Sequence, residues 1–290
     1  MSNPTITRDE GRGVIGLSRC PKLTPGCVGV CDIFSKSSVS IIKEELSKKI
    51  LEYMKSYRMP LLIQINKLWN NYPVISLGEN HTETHLNAQF MANIVKFYGR
   101  SNDVVAVEGS RDDQDSVDDY LQDHGELGFE KPRSKEFKDL IQACKERQCK
   151  FVFMGEGRGN DELFFDDLKE YAGDLKKHRL LLLTGRGHGL WRHSGSTPKF
   201  LSMVADKVGY KKVTTVFLQS RDKDPGGILY FEIVPHDDNR QISGTQLRLA
   251  IHNLGSVLIP TNRANSPFNC VKFAYYKEYV SKTVDFIALI

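Results

Sequence analysis

Two rhythms of apolar residues divide the chain. From Ser40 to Arg58, the stretch SIIKEELSKKILEYMKSYR sets Ile41, Ile42, Leu46, Ile50, Leu51 and Met54 along one stripe at helical spacing. Pro60 interrupts that period, and a second helical piece runs to about Trp69. From Tyr72 the pattern changes. Short apolar runs, VISL, VVAV, FVFM and LLLL, begin at Val74, Val104, Phe151 and Leu180. They do not alternate with polar residues, so each reads as a strand buried on both faces.

Helical spacing returns in every gap between these runs. It is carried by Leu86, Phe90, Ile94 and Tyr98 in the first gap and by Phe137, Leu140, Ile141 and Cys144 in the second. Leu163, Leu168 and Leu175 carry it in the third. Alternation of this kind predicts right-handed βαβ units. After a further helix in TPKFLSMVADKVGY, the runs VTTVFLQ and ILYFEIVP flank SRDKDPGG and read as an antiparallel hairpin. The expected fold is α/β, with a mostly parallel central sheet flanked by helices and the hairpin after the parallel strands. Residues 1–39, rich in Gly, Pro, Ser and Thr, read as an irregular leader. Residues 40–290 read as a single α/β domain, with 241–290 as a mixed C-terminal cap.

The polar residues at the ends of the runs carry the candidate chemistry. VISL leads into GENH, VVAV into EGS, FVFM into GEGRGND and LLLL into TGRGH. In an open α/β sheet the carboxyl ends of parallel strands form the ligand crevice. Glu79, His81, Glu108, Glu156, Arg158, Arg186 and His188 are therefore expected on one edge, with His85 and His193 nearby. Asn80 followed by Glu83 fits a capping box, which assigns Glu83 to backbone N–H groups. HTETH puts His81 and His85 four residues apart, but Glu83 lies midway and not beside the first histidine, as the zinc-protease signature requires. GEGRGND has neither the dinucleotide spacing nor a Walker lysine. No serine sits in a G-x-S-x-G elbow. What remains is a pocket of Glu, His and Arg, groups that activate water directly or through a metal while an arginine stabilises developing negative charge.

Three of these stretches resemble one superfamily. LGENH at Leu77–His81, VEGS with Glu108, and TGRGHGLWRHSGSTPKFL from Thr184 are together similar to erythromycin esterases, ChaN-like haem-binding proteins and Tiki-type proteases. The ChaN-like branch is the most similar, through its G-E-x-H start and a G-x-G-H followed by small residues and a proline. The resemblance covers about residues 72–235. It implies an α/β fold with Glu79, His81, Glu108 and His188 at the functional positions. It implies water activation for ester cleavage as in the esterases, metal-dependent peptide cleavage as in the Tiki branch, or haem binding as in ChaN. The esterases separate the motif's glutamate and histidine by two residues, whereas one separates Glu79 from His81.

Composition narrows the partners. Forty Lys and Arg against 36 Asp and Glu, with the signs interleaved, give +4, a field too weak to indicate nucleic acid. No run approaches the ~18 apolar residues of a membrane span, and no signal peptide is recognised at the start. A cytoplasmic protein without a membrane partner is expected, or one exported by a signal-independent route. Six cysteines, with C-x6-C-x3-C at Cys20, Cys27 and Cys31, match no common zinc pattern and read as reduced thiols.

The expected function is that of a hydrolase acting on an ester, amide or peptide bond of a small-molecule or peptide substrate. His81 is its general base, Glu79 and Glu108 orient that base or share a metal, His188 completes the site and Arg186 steadies an oxyanion. Glu156, Arg158, His85 and His193 are expected to bind substrate. Metal-free activation is favoured, because arginines on the same loops repel a cation. If a metal is present, Glu79, His81, Glu108 and His188 are its ligands, and mixed N/O donors suit zinc, manganese or iron. The alternatives are a ChaN-like binder, with haem held by His81, His188 or Tyr72, and an effector or interaction module with a degenerate pocket.

Overall fold

The computed structural model describes residues 39–79, 84–129, 133–155, 160–190, 199–220, 231–233, 241–242, 253–269, 271–273 and 280–290. The expected leader lies outside them, as do Asn80 to Glu83 with their expected capping box. Helix α1 (Val39–Tyr57) buries Leu46, Ile50, Tyr53 and Met54, at the i, i+4, i+7 and i+8 spacing of one helical face. Strand β1 (Met59–Pro60) separates it from α2 (Leu61–Asn71), so Pro60 does end the first helical period.

The four apolar runs become β2 (Val74–Glu79), β3 (Val104–Glu108), β4 (Lys150–Met154) and β5 (Leu180–Gly185). They are joined through α3 (Thr84–Tyr98), then α4 (Gln114–Leu121) and α5 (Lys135–Arg147), then α6 (Asp161–Ala172). A four-residue helical turn, α7 (Arg186–Gly189), precedes α8 (Phe200–Val208) and β6 (Val213–Gln219). Beyond it lie β7 (Phe231–Ile233), β8 (Gln241–Ile242), β9 (Val257–Pro260), β10 (Val271–Phe273), α9 (Val280–Thr283) and β11 (Phe286–Leu289).

The main sheet has eight strands in the order β1-β9-β11-β6-β2-β5-β3-β4. The six from β11 to β4 are parallel, and β9 runs antiparallel to both β11 and β1. The fold is thus α/β with a mostly parallel sheet. Antiparallel pairing does follow the parallel strands, but not between VTTVFLQ and ILYFEIVP. Strand β6 lies parallel to β2 and β11, while β7 pairs antiparallel with β10 and β8 in a separate three-stranded sheet. The segment expected as a C-terminal cap supplies β9 and β11 to the main sheet.

From β2 the chain moves outward to β3 and β4, then returns inward to β5 and on to β6. Right-handed crossovers put helices of the outward and inward steps on opposite faces. Accordingly α2, α3 and α5 pack on one face through Trp69, Met91, Ile94 and Leu140, against Ile75, Leu77 and Leu183. Helices α6 and α8 pack on the other through Phe164, Leu168, Phe200 and Val204, against Ala106 and Leu182. Within α6, Phe164 is the core residue and the expected Leu163 is exposed, because one residue rotates a helix by about 100°.

Strand β4 ends the sheet among the described residues, and its outer edge is covered by one side chain. Gln114, 1 % exposed, donates from Nε2 to the Phe151 carbonyl at 3.0 Å and accepts at Oε1 from the Phe153 N–H at 2.8 Å. Its carboxamide takes the place of one residue of a neighbouring strand. At the opposite end, β1 is two residues long and one of them is Pro60.

Candidate functional site

Strands β2 and β5 are neighbours whose outgoing connections leave in opposite directions along the sheet. That makes the gap between their carboxyl ends the switch point at which open α/β sheets hold ligands. Glu79 ends β2 in register with Gly185, the last residue of β5. On the other side of β5, Val107 is in register with Leu183, so Glu108 lies beside Thr184. Because side chains alternate along a strand, Glu79 leaves on the face covered by α3 and Glu108 on the face covered by α6 and α8. The two glutamates therefore bracket the end of β5 from opposite faces of the sheet.

Both are engaged by protein donors. Glu79 is buried and accepts from Asn87 Nδ2 of α3 at 2.5 Å through Oε2. Glu108 Oε2 accepts from the Gly185 N–H at 2.7 Å. This bond fixes the backbone where β5 turns into α7.

That turn folds back over the end of β2 because glycines allow close approach. A Cβ on Gly189 would meet Thr184 Oγ1 at 2.5 Å and the Leu77 carbonyl at 3.1 Å, and one on Gly78 would meet Leu190 at 2.6 Å. Ser76 Oγ donates to the Gly189 carbonyl at 2.6 Å and pins the turn. The glycine-rich TGRGHG thus lies flat against the sheet and sets the position of His188.

His188 is gripped by Asp161, the first residue of α6. Its Nδ1–H donates to Asp161 Oδ1 at 2.8 Å, and the ring of Phe164 lies 5.0 Å away at 60°. The imidazole is about one-fifth exposed and the carboxylate nearly buried. Lys199 Nζ, from the residue preceding α8, lies 3.3 Å from Asp161 Oδ2. Burial alone would push the Asp161 carboxyl up. Hydrogen bonds from His188, the Phe200 N–H and Lys199 outweigh it and hold the carboxyl below its usual range. Asp161 is also in the first turn of its own helix, where a negative charge is favoured. With Nδ1 committed to an ionised carboxylate, Nε2 is the nitrogen left for chemistry.

The other expected residues fall as follows. Arg186 opens α7, and its side chain lies outside what is described. His81, Glu156, Arg158 and His193 also lie outside the described residues. His85, in the first turn of α3, is half-buried and acts electrostatically on Glu136 of α5. Among the described residues, no group of three His, Cys, Asp or Glu side chains is arranged to hold a metal ion. Sequence reasoning missed Asp161, Lys199 and Asn87. Asp161 closes the quoted GEGRGND, but an aspartate at a helix start reads as a capping group. Lys199 carries no local signal because its partner is distant in the chain, and Asn87, eight residues from Glu79, meets it only because α3 packs over the end of β2.

No protein-family model and no curated protein sequence matches the chain. Solved structures similar to it include a Bacillus cereus protein, 11 % identical, with a TM-score of 0.50 over 84 % of this chain and 97 % of that one. A succinoglycan biosynthesis protein is 10 % identical, with a TM-score of 0.51 over 88 % of this chain and 98 % of that one. The C-terminal region of Pasteurella multocida toxin, described as holding a thiol-protease-like catalytic triad, is 13 % identical with a TM-score of 0.40. That match covers 66 % of this chain, which spans 27 % of the toxin chain. At such identities the likeness to the two full-length matches is one of fold.

Proposed function

We propose that the chain is a hydrolase of the erythromycin esterase, ChaN-like and Tiki superfamily, in which His188, oriented by Asp161, is the base that activates water. The supporting observation is the Asp161–His188 pair at 2.8 Å beside the switch point of the sheet. In this reading His188 Nε2 takes a proton from water as its oxygen attacks the carbonyl carbon of an ester, amide or peptide. The same nitrogen returns the proton to the leaving group as the carbon–heteroatom bond breaks. Asp161 holds the tautomer and stabilises the imidazolium that forms. Glu79 and Glu108 hold the ends of β2 and β5. Arg186 is assigned to the oxyanion, His81 to a second acid–base role, and Glu156, Arg158 and His193 to the substrate. A panel of esters, lactones, amides and peptides, assayed with the wild type, His188→Gln and Asp161→Asn, tests the reading. Turnover that survives both substitutions in folded protein would refute it.

A second reading has an observation of its own. A histidine whose Nδ1–H is held by a carboxylate is also how proteins orient a metal-ligating imidazole. His188 is the one such residue at this edge among those described. A lone histidine would suit haem better than a closed divalent site, and His188 would be the residue that holds it. Haem titration distinguishes the two: a saturable Soret shift lost in His188→Gln, with no turnover on the panel, selects the binder.

A further inference from the structure

We infer that Lys199 is a positioning residue for the His188–Asp161 pair, which it holds in one tautomer by fixing the plane of the Asp161 carboxylate. The inference rests on the proposed role of His188 and extends it to a residue outside the strand-end motifs. Asp161 belongs to α6, but both of its oxygens are used by other elements. Oδ1 takes the His188 Nδ1–H of α7 at 2.8 Å, and Oδ2 faces Lys199 Nζ at 3.3 Å. The Phe200 N–H, one residue along from Lys199, bonds the same carboxylate. Two consecutive residues at the start of α8 therefore hold the carboxylate, Lys199 through the oxygen that the imidazole does not use.

A carboxylate held only by the imidazole and one N–H can rotate about χ2, a soft torsion between sp³ and sp² carbons. Rotation takes Oδ1 out of line with Nδ1 and lets the ring tautomerise. The ammonium on Oδ2 resists that rotation. The pair differs from an ordinary surface ion pair because the Asp161 side chain is 6 % exposed and that of Lys199 23 %. The Lys199 side chain makes no capping bond to α8, so replacing it leaves the helix start intact.

The test is long-range ¹H–¹⁵N spectroscopy of histidine side chains at about pH 8, where an unperturbed imidazole is neutral. The His188 signals are assigned by their loss in His188→Gln. The wild type is expected to show one tautomer with the proton on Nδ1. Lys199→Met is expected to show averaging of the two tautomers, and Lys199→Arg to restore the single form. On any ester or peptide the wild type turns over, Lys199→Met is expected to lower kcat roughly 10- to 100-fold with KM within about twofold, again restored by arginine. A Lys199→Met protein with native circular dichroism and the wild-type ¹⁵N pattern overturns the inference. Should that variant not fold, Lys199→Gln gives the same decision. A wild type without turnover refutes the hydrolase reading but leaves the tautomer experiment to decide this one.

Discussion

Gly189→Ala places a methyl group where the structure has no room, and the size of the effect follows from what it meets. Its Cβ would lie 2.5 Å from Thr184 Oγ1, 3.1 Å from the Leu77 carbonyl and 3.2 Å from Ser76 Oγ. The first overlap is severe, and the second is with the backbone of a central strand, which does not yield. The turn carrying His188 must therefore lift from the sheet, stretching the Ser76–Gly189 bond. Overpacking of this kind costs about 1–3 kcal/mol, and in the proposed role of His188 as base its displacement is expected to cost roughly 10²-fold in rate. Thr184→Ala removes the worst contact. Among the described residues, the buried Thr184 hydroxyl has no hydrogen-bond partner. Its loss offsets that of the methyl group, so the single variant is expected within about 1 kcal/mol of wild type. In the double variant the 2.5 Å overlap is gone while the 3.1 and 3.2 Å contacts remain, so rescue is partial. Urea unfolding of the four proteins measures the coupling, expected to be favourable by at least about 1 kcal/mol. Strict additivity would refute the packing argument.

Asp161→Asn is expected to lower turnover by about 10²–10⁴-fold, because an amide can donate to Nδ1 and select the wrong tautomer; steady-state rates within twofold of wild type would contradict this. The same substitution has a predictable pH signature. A carboxyl held below its unfolded value contributes stability that is present above that value and is lost as pH falls through the folded one. The wild-type advantage in urea unfolding should therefore be largest near neutrality and vanish in acid, and an advantage that grows below about pH 4 would reverse the sign. Burial pushes the Cys149 thiol up to about 12, and it pushes Cys144 well up too. Mass spectrometry should thus find both unmodified by iodoacetamide at about pH 8 until the protein unfolds. Asp285 accepts from Thr215 N at 2.9 Å, Thr215 Oγ1 at 3.0 Å and Asn262 Nδ2 at 3.2 Å. Asp285→Ala strands these donors and should cost about 2–4 kcal/mol by denaturant unfolding, a loss under about 1 kcal/mol being the contrary result.

Strands β2 to β5 were legible because both of their faces are covered, and that cover forces continuous apolar runs. Pairing was not legible. The turn chemistry of SRDKDPGG is compatible with a hairpin, yet β6 takes its neighbours from residues 74–78 and 286–289, and no local pattern encodes a partner that far away. The four-residue strands β9 and β11 are too short for periodicity to separate them from loop. The candidate site was legible as an edge and not as a constellation. Strand-end position marked Glu79, Glu108 and His188, but alternation across the pleat, which sends the two glutamates to opposite faces, depends on register. Asp161 meets His188 and Lys199 only when α6 and α8 come together, a contact that the connections joining β4, β5 and β6 create.

The side chain of Gln114 on β4 and the brevity of β1 together bear on how copies of this protein can meet. An open strand edge invites another chain to add to the sheet, the first step in many aggregation and β-augmentation events. Here one border of the main sheet has two of its backbone groups already satisfied by a carboxamide, and the other offers two residues, one without an N–H. Among the described residues, growth of this sheet from molecule to molecule is thereby disfavoured at both borders. The borders left for such addition among the described residues are those of the three-stranded sheet, β10 and β8, and not those of the sheet that carries the candidate site.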